Sequence, residues 1–333
     1  NGDGSLSQPA PGDWYRIVVE GGSANLEHTH IRYGAGRDSV QAGMVRSHGG
    51  AQVTIQNCVL SDGLYTGVLD WGGQTAISNS VLTGIDRAVA SHPGGTVTVT
   101  NGTIANARIG LLGHGGNLTA ANTIGAESGE SGVQFDFGPT PVLSFCNVWT
   151  TPGPNRLNYR NMPDLTRTAG NLSVDPAFRD PARRDYHLRF QSPCIDAGNG
   201  ALAPETDLAG APRWNDPRSP DTGQTMPTPP DTDAVPDLGA LEFVEDADSP
   251  IDLIAGSVAG PIEATVGQMA VVRWTVTNRG QTAAVGPWHD AVWLVRGADT
   301  QAAAVVAGEI LSGQGVVLGP GQSLAVTDRK SVV

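Results

Sequence analysis

Gly94-Gly95-Thr96-Val97-Thr98-Val99-Thr100-Asn101 is answered one phrase later by Gly115-Gly116-Asn117-Leu118-Thr119-Ala120-Ala121-Asn122. In each, a Gly-Gly pair opens a run whose alternate residues are apolar, and the run closes on Asn. The pairs stand at 21–22, 49–50, 72–73, 94–95 and 115–116, with Gly138 in the next slot. After them come Ala24-x-Leu26-x-His28, Val53-x-Ile55-x-Asn57, Thr75-x-Ile77-x-Asn79, Val97-x-Val99-x-Asn101, Leu118-x-Ala120-x-Asn122 and Leu143-x-Phe145-x-Asn147. Period-two alternation places the named residues on one face of a strand.

A second strand follows in each unit: Gly43-Met44-Val45, Gly67-Val68-Leu69, Ala88-Val89-Ala90, Gly110-Leu111-Leu112 and Gly132-Val133-Gln134. A short apolar site at Leu60, Leu82, Ile104 or Ile124 lies between the two. A repeat of about 22 residues with strands and no helical period is one coil of a parallel β-helix. The fold class is therefore all-β. The recurring Asn57, Asn79, Asn101, Asn122 and Asn147 are expected to form a structural ladder, each amide satisfying a bend and bonding the next coil.

Composition excludes several function classes. The 333 residues carry a formal net charge of −13, which argues against a nucleic-acid partner. No apolar run reaches the roughly 18–20 residues of a membrane-spanning helix. Hydrophobic residues at 39% suffice for a core. Of the three cysteines, Cys58 and Cys146 sit four coils apart, ~19 Å at one strand spacing per coil, beyond a disulfide. Buried thiols are expected.

Pro11-Gly12-Asp13-Trp14, Ile31-Arg32-Tyr33-Gly34 and the Asn column resemble the right-handed parallel β-helix repeats of secreted bacterial proteins. Residues 1–153 form that block. From 154 to 248 the period stops, and Ser192-Pro193-Cys194-Ile195-Asp196-Ala197-Gly198-Asn199, Asp207-Leu208-Ala209-Gly210 and Asp237-Leu238-Gly239-Ala240-Leu241-Glu242 follow, with a proline-dense insertion at 216–236. This order resembles the closing region of choice-of-anchor surface β-helix proteins. The resemblance implies an extracellular bacterial protein, secreted or anchored at the cell surface. Physically the region is expected to cap the open end of the solenoid.

Residues 249–327 alternate as half-buried strands, with Val272, Trp274 and Val276 between Val271, Arg273 and Thr275. Together with Trp288-His289-Asp290-Ala291-Val292-Trp293 they resemble the bacterial cell-adhesion-related module, an immunoglobulin-like β-sandwich, here lacking its last strands. Of 20 basic residues only Lys330 is Lys. It falls in Asp328-Arg329-Lys330-Ser331-Val332-Val333, which reads as a translated sequencing adapter, so 328–333 is expected to be foreign.

Candidate chemistry lies on the coils. Trp71, His92 and His114 share a register, with His48 and Phe137 one residue off, and such a ridge can be a structural stack stiffening the corner, hold a sugar face or host a metal. Asp62 and Asp86 sit in corresponding turns and are weak candidates for paired carboxylates of a glycoside hydrolase. Arg46 and Asp70 are candidates for a polysaccharide lyase, or simply an ion pair across adjacent coils. Asp196, Asp207, Asp237 and Glu242 are candidate Ca²⁺ ligands, or acceptors for turn backbone and Arg213. Three functions stay open: adhesion or binding of a polysaccharide or cell-surface glycan without catalysis, a lyase or hydrolase on the same scaffold, and a structural spacer.

Overall fold

A computed structural model describes residues 8–36, 42–227, 233–243, 253–260, 268–278, 280, 283–294 and 305–331. The chain divides into two compact units, Asn1–Val244 and Glu245–Val333. The first is a parallel β-helix of three sheets. The first sheet stacks Ile17–Glu20, Gly43–His48, Thr66–Trp71, Arg87–His92, Ile109–His114, Ser131–Phe137 and Leu157–Arg160. The second stacks six strands from Ser23–Glu27 to Val142–Ser144, and the third six shorter ones from His30–Arg32 to Asn147–Trp149. Every neighbour pair in these sheets is parallel. Register partners Val45, Val68, Val89, Leu111 and Val133 follow at the expected repeat of about 22 residues.

Inward side chains build the core: Val53, Ile55, Ile77, Val97, Val99 and Leu118 from the second sheet meet Val68, Val89, Leu111 and Val133 from the first. Burying each of the larger ones contributes about 1.5–3 kcal/mol. Trp14 packs on this core, its ring against the Gly34 backbone, and its indole N–H donates to the Arg32 carbonyl at 2.6 Å.

Three corners join the sheets, and each has a backbone reason. The Gly-Gly corner brings chains so close that a Cβ on Gly138, at φ +89°, would stand 2.7 Å from the Gly115 Cα. Between the second and third sheets one residue per coil is left-handed: His28, Asn57, Asn79, Asn101, Asn122 and Phe145, at φ 45–52°. Asn tolerates this conformation better than most residues. Asn147 departs from the expected ladder. It opens a strand of the third sheet opposite Ile124, and its amide bonds the backbone of Val174. Phe145 occupies the corner instead. A second left-handed column, Tyr33, Asp62, Gly84, Asn106 and Glu127, leads out of the third sheet.

The corner asparagines also serve a purpose other than an inward ladder. One amide bond links coils, Asn122 Nδ2 to Asn101 Oδ1 at 3.1 Å. The remaining contacts reach the segment that follows the coils. Asn79 donates to Thr206 O and accepts from Arg213, Asn101 donates to Asp237 O and Gly239 O, and Asn122 exchanges bonds with the Asn199 backbone. Asn57 Oδ1 is buried without a partner. The column is a docking strip.

The expected end cap accordingly splits in two. Residues 154–174 add the strand Leu157–Arg160 and pack Met162 and Leu165 against the end of the core. Residues 175–227 and 233–243 lie along the outer face of the third sheet. There Phe178, Tyr186, Leu188, Ile195 and Leu238 cover Val81, Ala105, Ile124 and Ala126. An apolar outward face needs such cover. Tyr186 Oη meets Thr83 Oγ1 at 2.5 Å, and Arg184 pairs with Asp62. Cys58, Cys146 and Cys194 are buried free thiols, and burial pushes the latter two up to about 12.

The second unit is antiparallel. Met269–Asn278 lies between Leu253–Ala259 and Ser323–Ser331, Trp288–Leu294 pairs with Val305–Ser312, and Ala284–Val285 with Val317–Leu318. Val272, Trp274 and Val276 form its core, as the alternation requires. These small sheets are consistent with part of a sandwich. Four residues of the expected foreign tail, 328–331, belong to the strand Ser323–Ser331, while 332 and 333 lie outside the described residues.

Candidate functional site on the outer face of the first sheet

Alternation along the first sheet sends Val68, Val89 and Leu111 into the core and the next residues outward. Those outward residues, Leu69, Ala90 and Leu112, join Ile109 in a separate apolar cluster. Two of them, Ile109 and Leu112, floor a cleft of about 220 Å³ also lined by His92, His114, Arg87, Arg108, Gln134 and Asp136.

The side chains around the floor are held by one another. His114 Nδ1 and Asp136 Oδ2 are 2.8 Å apart, and Gln134 Nε2 donates to Asp136 Oδ1 at 2.8 Å. Burial pushes the Asp136 carboxyl up, but the bonds from Gln134 and His114 outweigh it and hold the group below its ordinary value. Arg108 is gripped from both sides, by Asp86 at 2.6 Å and by Glu130, and those carboxylates raise its pKa. Glu130 also meets Arg160 at 3.4 Å. Asp86, Arg108 and Glu130 thus form an ion ladder up the coils. Arg87 is held more loosely, 3.7 Å from Asp86.

The ring column runs beside the cleft. Register places His48 opposite Trp71, Trp71 opposite His92, and His114 opposite Phe137, so His48 and Phe137 share the column. A bulge between Gly113 and His114 restores the register of Phe137. Ring centroids are 5.1, 4.6 and 4.7 Å apart from Trp71 through His92 and His114 to Phe137. Arg46 lies over Trp71 at 5.6 Å. The inner rings are tilted against one another by 44° and 38°, and Trp71 has both Arg46 and His92 as close neighbours. Phe137, edge-on to His114 and 49% exposed, is the ring left open to a ligand. His92 is 7% exposed, and burial, with the charges of His114, Arg87 and Arg46, lowers its pKa to about 4. It is neutral at physiological pH.

The other candidates are not brought together. Asp62 occupies a left-handed corner whose counterpart is Gly84, and Asp86 stands further along the chain, so the two are not in corresponding turns. The hydrogen bond from Arg184, with those from Ser61 and Arg32, holds Asp62 at about 2. Neither carboxylate is free to attack or protonate. Arg46 and Asp70 do not pair, because strand alternation turns them to opposite faces. Asp70 is buried, accepting from Ser47 and Thr75 hydroxyls and from Gly73 N–H.

The acidic set of the flank segment does not fit Ca²⁺. Asp207 accepts from the N–H groups of Ala211 and Glu242, and Asp237 from those of Asp196 and Phe243. Glu242 pairs with buried Arg213, and Asp196 accepts from Asp216 N–H. Most of their oxygens serve turn backbone or Arg213, while Asp196 Oδ2 and Glu242 Oε2 are buried without a partner. Among the described residues no group of three or more His, Cys, Asp or Glu is placed to hold a metal.

The sequence reading missed Arg87, Arg108, Gln134 and Asp136. The signal was present as columns one coil apart, Asp86–Arg108–Glu130 and Ala90–Leu112–Gln134. No family description, curated protein or solved structure matches the chain.

Proposed function

We propose that the chain is an extracellular bacterial surface protein of adhesion type that binds glycan in the first-sheet cleft without catalysis. The observation that carries the reading is the floor of Ile109 and Leu112 framed by planar polar groups of Arg87, Gln134, Asp136 and His114. A pyranose has one apolar face and a rim of hydroxyls, so it needs an apolar floor with fixed donors and acceptors around it. Phe137 supplies an open ring next to His114, which lines the cleft. Among the described residues Asp136 is the one carboxylate lining the cleft, and hydrolysis commonly needs two. The resemblances to choice-of-anchor and cell-adhesion-related modules support the extracellular setting.

A second reading, polysaccharide elimination, has one observation in its favour: the His114–Asp136 pair beside Arg87 is the group set of a base and a cation. A glycan array of the full chain tests the first. Binding is expected, and Arg87→Ala with Gln134→Ala should abolish it. Binding that survives both substitutions, or also Trp71→Ala with His92→Ala, overturns the cleft and the ridge respectively. Unsaturated products from acidic polysaccharides, detected by ultraviolet absorbance, would replace binding by catalysis.

A further inference from the structure

The three outer faces of the solenoid differ in kind. That of the third sheet is covered by residues from 175–227 and 233–243, and that of the first carries the ion ladder and the cleft. Among the described residues of this unit, no segment covers the outer face of the second sheet. Its central row, in register coil by coil, is Asn25, Thr54, Ala76, Thr98, Thr119 and Val142, all exposed. The rows on either side hold Gln, Asn, Ser, Thr and Ala, with Glu27 their single ionisable residue. In a chain with a net charge of −13, a bare face this long and nearly free of charge is unusual, because exposed sheet faces ordinarily carry the charges that keep them in water.

Two further features make it a surface for a repeating partner. The groups recur about every 4.8 Å along the solenoid and about every 6.6 Å along each strand, as a parallel sheet imposes. They are also partly pre-ordered: Thr119 Oγ1 donates to Thr98 Oγ1 at 3.2 Å and Asn117 Nδ2 to Thr96 Oγ1 at 3.4 Å. Ordering side chains before binding removes part of the entropy cost of association.

We infer that this face docks on the flat surface of an ordered, uncharged, β-linked polysaccharide. The absence of charge matches an uncharged polymer and disfavours a polyanion, whose recognition requires cations. The coil spacing is close to the advance of one hexose in an extended chain, so polar groups recur along such a polymer at a similar period. A row of like groups spanning six coils suits a sheet of chains better than a single soluble oligosaccharide. The surface is separate from the cleft, and either can be right without the other.

The test is depletion of the full chain from solution by microcrystalline cellulose and by crystalline chitin. Binding to at least one is expected, and it should be insensitive to salt. Thr54→Lys, Thr98→Lys and Thr119→Lys together should weaken it about tenfold or more, and the corresponding Glu substitutions should do the same. Thr→Ser at the three positions should retain it. The Lys variant should unfold at the wild-type temperature and keep the array signal assigned to the cleft, which separates the two surfaces. Absence of binding to both polymers, binding lost with Glu but kept with Lys, or binding unaffected by either set overturns the proposal. Inhibition of ice growth with no polysaccharide binding would also overturn it, since the face would then match a different lattice.

Discussion

Replacing Arg213 by Met tests how the flank segment is fastened to the coils. Arg213 and Glu242 have side chains 0% and 1% exposed, and they pair through Nη1 and Oε1. Arg213 Nη2 also donates to Asn79 Oδ1 at 2.8 Å, across 134 residues of sequence, and Nε to Pro204 O at 3.3 Å. With the guanidinium gone, Glu242 keeps only the Asp237 N–H at 3.1 Å, and its Oε2 already has no partner. Breaking a buried pair from one side costs about 3–5 kcal/mol. Removing both charges as Arg213→Met with Glu242→Leu takes out the pair without stranding either partner, and such replacements are often neutral or better. Three neutral groups, Asn79 Oδ1, Pro204 O and Asp237 N–H, then lose partners, at about 1–3 kcal/mol each as an upper bound. The double variant should therefore recover a substantial part of the loss. Protonating the lone Glu242 also relieves the single variant, so its deficit should shrink as pH falls. Hydrogen exchange resolved along the chain is the assay, because the flank segment and the coils need not unfold together. Peptides within 175–243 should open first in Arg213→Met. A cost below about 1 kcal/mol, or a double variant no better than the single, would refute the reasoning.

Other outcomes follow from the same geometry. Asn101→Ala places Ala at φ 48° and removes the bonds to Asp237 O, Gly239 O and Asn122, so it should cost more than Asn101→Gly, which loses the bonds alone; the difference should be about 1–2 kcal/mol by urea unfolding. His92, neutral in the fold with a pKa of about 4, binds fewer protons there than in the unfolded chain. Stability should thus fall as pH drops from about 6.5 towards 4, by at most about 3 kcal/mol, and His92→Phe should remove this limb of the pH–stability curve. Asp62 is depressed to about 2, so its contribution is full above the ordinary carboxylate range and is lost as pH falls through that range towards 2. Its partners Arg184 and Arg32 are 42% and 47% exposed, which limits Asp62→Asn to about 1 kcal/mol at neutral pH.

The coils were legible because one physical period repeats. Gly-Gly corners, alternation and apolar positions such as Leu82 and Ile104 all recur at the same spacing, so each confirms the others. What the asparagines do was not legible, because their left-handed backbone is local but their partners, Arg213, Thr206, Asp237 and Asn199, lie outside the repeat. The same holds for the flank segment. An aperiodic stretch gives no register, and only the apolar outward residues Val81, Ala105 and Ile124 hinted that a face needed cover. The ring column was visible, but not that its rings would crowd one another and leave Phe137 as the open one. The cleft was not legible because Arg87, Gln134 and Asp136 share no motif along the chain. Arg87, Gln134 and Asp136 become a site only when coil columns are read across both the apolar floor and the polar rim.

A crystal structure of the full chain with a bound array-selected oligosaccharide tests the central claim most directly. The account predicts sugar in the first-sheet cleft, its apolar face over Ile109 and Leu112 and its hydroxyls bonded to Arg87, Gln134 and Asp136. Sugar bound elsewhere, with this cleft unchanged and filled by solvent, would contradict it.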